Sequence, residues 1–131
     1  MDHKLKLMVV DDSPLFRTWL IRSLSEDDRF QIVGYAVNAL DAQEKIPLLQ
    51  PDMLTLDIEM PGMSGIDFLK QLLPVHPIPV ILVSSLNLRV FDALEAGAVD
   101  FVRKPDEANG LSKEIFLSML RSKLMVAAAS H

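Results

Sequence analysis

The chain contains no cysteine, which excludes disulfides and thiolate metal sites and leaves oxygen or histidine as the only ligands for any metal. Histidine itself is limited to His3, His76 and His131. No stretch approaches the roughly 20 apolar residues of a membrane span. The opening MDHKLKLMVVDD has too short an apolar run before its acidic pair to act as a signal peptide. A cytoplasmic protein without membrane attachment is expected. Clustered basic residues are also lacking, and the net charge of -5 argues against binding nucleic acid through a basic face. No repeat, low-complexity tract or flexible linker interrupts the chain.

What remains is ordinary globular material. The 131 residues, half of them hydrophobic and 24% charged, suit a single domain spanning 1–131 with a core of its own. Short apolar runs alternate with amphipathic stretches: LKLMVV, PLFRTWLIRSL, QIVGYA, ALDAQEKI, MLTL, GIDFLKQLL, PVILVSS, RVFDALEAG, VDFV and LSKEIFLSMLRSKL. Strand then helix, five times over, predicts an α/β protein with a doubly wound parallel sheet covered on both faces. Ser13-Pro14 suits a helix N-cap with proline at the first helical position, Ser64 with Asp67 suits another cap, and Gly97 sits where a helix should end. Pro47 is expected to end the second helix early, and the fourth helix, roughly Leu88 to Ala96, is expected to be short.

The run LTLDIEMPGMSG ends a buried strand on a carboxylate, Asp57. In an open α/β sheet, ligands bind beyond the carboxyl ends of the strands, so the other strand endings bear on what Asp57 meets. The first strand ends in Asp11-Asp12, the fourth in Ser84-Ser85 and the fifth in Arg103-Lys104-Pro105. Each is uninformative alone: acidic pairs are usually solvated and Lys-Pro says almost nothing. Together they bring carboxylates, a hydroxyl and an ammonium to one edge. Crowded like charges call for a cation, and oxygen ligands point to a hard ion, Mg2+ before Zn2+. Such a site suits phosphoryl transfer to a carboxylate. Asp57, alone at its strand end, is the nucleophile candidate, and the paired Asp11 and Asp12 are better placed to hold the ion.

With these motifs the sequence resembles a two-component response-regulator receiver domain over nearly its whole length. The resemblance implies a flavodoxin-like (βα)5 fold with strand order 2-1-3-4-5. It implies Asp57 as phosphoacceptor, and Mg2+ held by Asp12, Asp57 and the backbone carbonyl of Glu59, with Asp11 acting mostly through water. Ser84 and Lys104 would bind the phosphoryl oxygens, and the Lys104-Pro105 bond would be cis. The wording of LTLDIEMPGMSGIDFL, PVILVSSL and LEAGAVDFVRKP is most similar to the regulatory domain of chemotaxis protein-glutamate methylesterases. No Gly-x-Ser-x-Gly elbow is present, so no esterase domain is expected in this chain. It is expected to be either the regulatory half of a methylesterase or a free-standing receiver, acting as a diffusible signal or phosphate sink.

Ser84 stands where threonine is commoner in the family and Ser64 where aspartate is frequent. The interval from Ser84 to Gly97 is about a helical turn shorter than in the methylesterase relatives, which bears on the usual output surface. The resemblance also implies that Phe101, with Ser84, forms a conformational switch; by itself Phe101 would be a core residue. On the first helix Phe16, Leu20 and Leu24 should face the core. Leu15 and Trp19 fall on an adjoining stripe that either widens the core or receives a sensor histidine kinase's phosphotransfer domain. Arg121 and Lys123, on a last helix spanning Leu111 to about Ala129, read as a solvated charged face. The competing functions are a small Mg2+-dependent phosphatase working through an aspartyl-phosphate, suggested by Asp57-Ile58-Glu59, and a receiver-like binding module without chemistry.

Overall fold

The computed structural model describes residues 3–85, 89–106 and 112–130. Strands and helices alternate: β1 (Leu5–Val10), α1 (Pro14–Ser25), β2 (Phe30–Ala36), α2 (Ala39–Leu49), β3 (Met53–Leu56), α3 (Gly65–Leu72), β4 (Val80–Ser84), α4 (Val90–Glu95), β5 (Asp100–Arg103) and α5 (Lys113–Ser130). The strands form one parallel sheet in the order β2-β1-β3-β4-β5, the flavodoxin-like arrangement.

Strand side chains alternate between the two faces, and the core divides accordingly. Leu7, Val9, Met53, Ile81, Val83 and Val102 pack with Leu20 and Leu24 of α1 and with Phe116, Leu120 and Leu124 of α5. Met8, Val10, Leu54, Leu56, Val80 and Leu82 pack on the opposite face with Ile46 of α2, Phe68 and Leu69 of α3, and Ala93 of α4. Both faces of β1, β3 and β4 are therefore dry, which is why those strands read as continuous apolar runs rather than alternating ones.

Ser13, Ser64 and Gly97 stand at the helix ends where the sequence places them, although the Ser13 side chain makes no capping hydrogen bond, and Asn38 is a further cap. Ser64 Oγ accepts the Asp67 N–H at 3.2 Å, and Asn38 Oδ1 accepts the Asp41 N–H at 2.8 Å. Pro14 occupies the first turn of α1, and Gly97 (φ 115°) follows the α4 cap in the left-handed region. Pro47 does not end α2, contrary to expectation: the helix continues to Leu49 and is closed by Gln50 in a left-handed conformation. Proline here removes an N–H close to the end of the helix, while burial of Ile46 and the packing of Leu49 hold the last turn in place. α4 has six residues, shorter than expected, and residues 86–88, where it was expected to begin, lie outside the described residues, as does Leu111. Among the described residues no helix is long and apolar enough to cross a membrane.

Candidate functional site

Strand order decides which strand ends meet. β1 lies between β2 and β3, so the connection reverses direction there and opens a crevice at the carboxyl edge. Val10 and Leu56 are register partners, which places Asp11 and Asp57, one residue beyond each, side by side. The Asp57 N–H donates to Val10 O (3.0 Å) and the Asp11 N–H to Ala36 O (3.0 Å), so the ladder fixes both backbones. On the other side Ser84 pairs with Arg103, and the Lys104 N–H donates to Ser84 O (2.9 Å), carrying the lysine to the same edge.

The side chains complete the convergence. Lys104 Nζ lies 2.9 Å from Asp11 Oδ2 and 3.3 Å from Asp57 Oδ2, bridging the two buried carboxylates. Asp12 is exposed, and its carboxylate, with those of Asp11 and Asp57, brings oxygen atoms within 4.8 Å of one another. Asp57 Oδ1 accepts the Glu59 N–H (3.1 Å), and Asp11 Oδ1 accepts the Ser13 N–H (2.8 Å), which couples the acidic pair to the start of α1. Arg17 strengthens that link by donating from Nη1 to Asp11 O at 2.9 Å.

Burial pushes the Asp57 carboxyl up to about 6, despite the opposing pull of Lys104; the neighbouring Asp11 charge adds to the rise and the Glu59 N–H offsets part of it. Three carboxylates facing one ammonium leave excess negative charge in a partly dehydrated crevice, and the donors are all hard oxygens. The residues therefore fit a hard divalent cation such as Mg2+.

Gly65 explains the Pro-Gly-Met-Ser-Gly turn after Asp57. A Cβ at Gly65 would lie 2.8 Å from Asp57 O and 2.9 Å from Ile58 Cα, so only glycine lets α3 begin directly against the backbone that carries Asp57. The Gly65 N–H donates to Ile58 O at 3.0 Å.

Asp11, Asp12, Asp57 and Lys104 thus meet as expected, with Ser84 buried at the neighbouring strand end and Glu59 meeting Asp57 through its main chain. No peptide bond among the described residues is cis, so the Lys104-Pro105 bond is trans, correcting the expectation. Trans is the intrinsically favoured isomer by about 0.5–1 kcal/mol, and Lys104 reaches both carboxylates from it.

Phe101 is half-buried and packs on the α2–α3–α4 side of the sheet. Lys123 Nζ holds it from α5, donating to Phe101 O (2.7 Å) and Asp100 Oδ1 (3.1 Å) and lying 5.2 Å from the ring centroid. Arg121 donates to Ser23 O (2.9 Å) and lies 3.6 Å from Asp27. These cations are therefore ties between elements rather than a solvated face. Leu15 and Trp19 part company: Leu15 is 87% exposed, whereas the Trp19 ring packs against Phe16 (5.7 Å) and Phe116 (5.9 Å) and widens the core. The contact missed from sequence is Phe16, whose ring centroid lies 4.5 Å from Lys104 Nζ. Helical periodicity marks it as apolar and inward-facing but cannot say that a lysine from the far end of the chain meets it.

The family model for the response regulator receiver domain matches residues 7–116. The chain is 46% identical over 129 residues to a protein-glutamate methylesterase/protein-glutamine glutaminase of Syntrophomonas wolfei, the match covering 98% of this chain and 38% of that protein. It is 43% identical to a protein of the same name from Vibrio vulnificus, with 100% of this chain and 39% of the relative covered. The chain thus spans less than two fifths of these relatives' length. Among solved structures, the response regulator domain of Thermotoga maritima CheB superposes with a TM-score of 0.86 at 35% identity, covering 97% of this chain and 98% of that one. The receiver domain of the putative response regulator NarL from Mycobacterium tuberculosis gives 0.75 at 32% identity, covering 92% and 96%.

Proposed function

The chain belongs to the response regulator receiver domain family and is similar to the regulatory domain of CheB methylesterases, and from that premise we propose that Asp57 is the phosphoacceptor of a phosphorylation-operated switch in a chemotaxis-like two-component pathway. The observation that carries this reading is the placement of Lys104 between the carboxylates of Asp11 and Asp57 at the sheet's carboxyl edge.

An Asp57 oxygen attacks the phosphorus of a kinase's phosphohistidine; the P–N bond breaks as the P–O bond forms, and the imidazole leaves with the electron pair. The buried position of Asp57 strips water from the attacking carboxylate, and the Glu59 N–H and Lys104 hold its orientation. As negative charge builds on the phosphoryl oxygens, Lys104 and Ser84 supply an ammonium and a hydroxyl at the ends of β5 and β4. Asp11, Asp12, Asp57 and the Glu59 carbonyl would hold Mg2+, whose chemistry when bound is to neutralise charge on the phosphoryl oxygens. Water attack on phosphorus later releases phosphate and restores Asp57. The chain itself takes part in this transfer and in the hydrolysis that ends it.

Downstream, withdrawal of Ser84 toward the phosphoryl group lets the Phe101 ring turn inward, changing the surface formed by α4, β5 and α5. The output is a methylesterase domain, as the names and greater length of the relatives suggest. Exposed Leu15, on the first turn of α1 beside Asp11 and Asp12, is where a phosphotransfer domain docks. The deciding experiment is intact mass after incubation with acetyl phosphate, with and without Mg2+, on the wild type and on Asp57→Ala. A single phosphoryl addition requiring both is expected; no addition to the folded wild type would refute the reading.

A further inference from the structure

Lys104 carries one ammonium between two carboxylates, and something must keep it there. Its main chain is pinned at the end of β5 by Ser84, but its side chain is long and flexible, and an unconstrained lysine at this edge would point into solvent. The Phe16 ring also faces the ammonium, its centroid 4.5 Å from Nζ. The ring and the Asp11 carboxylate are tied together locally: the Ser13 N–H and Arg17 hold Asp11 to the first turn of α1, and the Arg17 N–H donates to Ser13 O at 2.9 Å. The ring itself is braced, edge-on to Phe116 of α5 at 5.8 Å and tilted against Trp19 at 5.7 Å. The ammonium that bridges the two carboxylates thus also lies over the electron-rich face of a braced ring.

We propose that Phe16 is a positioning residue for phosphoryl transfer, its ring holding the Lys104 ammonium at the acidic pocket through a cation–π contact braced by the Trp19–Phe116 cluster between α1 and α5. This rests on the proposed role of Asp57 and adds to it a residue that touches neither phosphate nor metal. Removing the ring leaves the two carboxylates but takes away one of the contacts that hold Lys104 at the pocket, so fewer molecules have the lysine in place when a phosphodonor arrives. The fold keeps its apolar contact if an aliphatic residue replaces phenylalanine.

The test compares Phe16→Leu, which keeps an apolar side chain, with Phe16→Tyr, which keeps the ring, each also in a Lys104→Met background. Phosphorylation by acetyl phosphate with saturating Mg2+ should slow about threefold to tenfold in Phe16→Leu, the range a cation–π contact supports. It should return to within about twofold of wild type in Phe16→Tyr, and Phe16→Leu should change nothing further once Lys104 is gone. Urea unfolding in EDTA gives a second readout: Phe16→Leu should destabilise the wild type more than the Lys104→Met protein. Equal slowing in both backgrounds, or a wild-type rate in Phe16→Leu, overturns the proposal. If the wild type takes up no phosphoryl group, the proposed function fails instead, and the metal-free unfolding cycle alone decides whether Phe16 holds Lys104.

Discussion

Replacing Asp57 by asparagine should make the metal-free protein more stable at neutral pH, and the size of the gain follows from burial. The native carboxyl titrates at about 6 against an ordinary value of 3.8, chiefly because the group is buried, with the Asp11 charge adding to the rise. Between these values the native state binds more protons than the unfolded chain. Stability therefore falls as pH rises through the window from 3.8 to about 6, then levels off. At about 1.36 kcal/mol per pH unit, a rise of about 2 units makes ionised Asp57 cost the native state about 3 kcal/mol at pH 7.5. Asparagine has nearly the same shape, remains within reach of Lys104 and Asp11, and carries no charge to dehydrate. Urea denaturation of both proteins in EDTA, from pH 4 to pH 8, measures the difference, and groups other than Asp57 largely cancel in it. Asp57→Asn should gain little at pH 4 and about 2–3 kcal/mol at pH 7.5. Adding Mg2+ should raise wild-type stability and leave the variant little changed, since a ligand stabilises only the state that binds it. A difference that stays flat across the window, or an asparagine variant weaker than wild type at pH 7.5, would refute the reasoning.

Gly65→Ala forces a methyl group against Asp57 O and Ile58 Cα; it should cost about 1–3 kcal/mol and slow acetyl phosphate labelling, because the displaced backbone is the one that carries the nucleophile. Leu15→Ala removes an 87% exposed side chain, so unfolding should shift by no more than about 0.5 kcal/mol and acetyl phosphate labelling should be unchanged. Transfer from a phosphotransfer domain should slow in Leu15→Ala; equal rates from both donors would remove Leu15 from the docking surface. In a complex with a phosphoryl mimic the Phe101 ring should change rotamer and leave the Lys123 ammonium, and a ring that stays put would end the switch assignment.

The sequence by itself determined the elements and the chemistry available at their ends. Short apolar runs mark strands locally, and Ser13-Pro14, Ser64 and Gly97 mark helix ends locally, because capping and backbone freedom involve only neighbouring residues. Asp11, Asp12, Asp57, Ser84 and Lys104 were legible for the same reason: each is a polar residue closing an apolar run. Only the tertiary structure decided what those residues meet. The pairing of Val10 with Leu56 sets Asp11 beside Asp57, and nothing in either strand's own pattern specifies its neighbour. Leu15 and Trp19 look equivalent on a helical wheel, yet Phe116 of the last helix covers one and not the other. Lys123 looked solvated because helix position says nothing of Phe101, and Phe16 looked like plain core because Lys104 is far away in the chain. The second helix runs past Pro47 because packing of its last turn outweighs the local preference, whereas the trans Lys104-Pro105 bond follows the local preference and departs only from what the family resemblance implied. Long-range partners are chosen by packing and charge across the fold, which no local stretch of sequence contains.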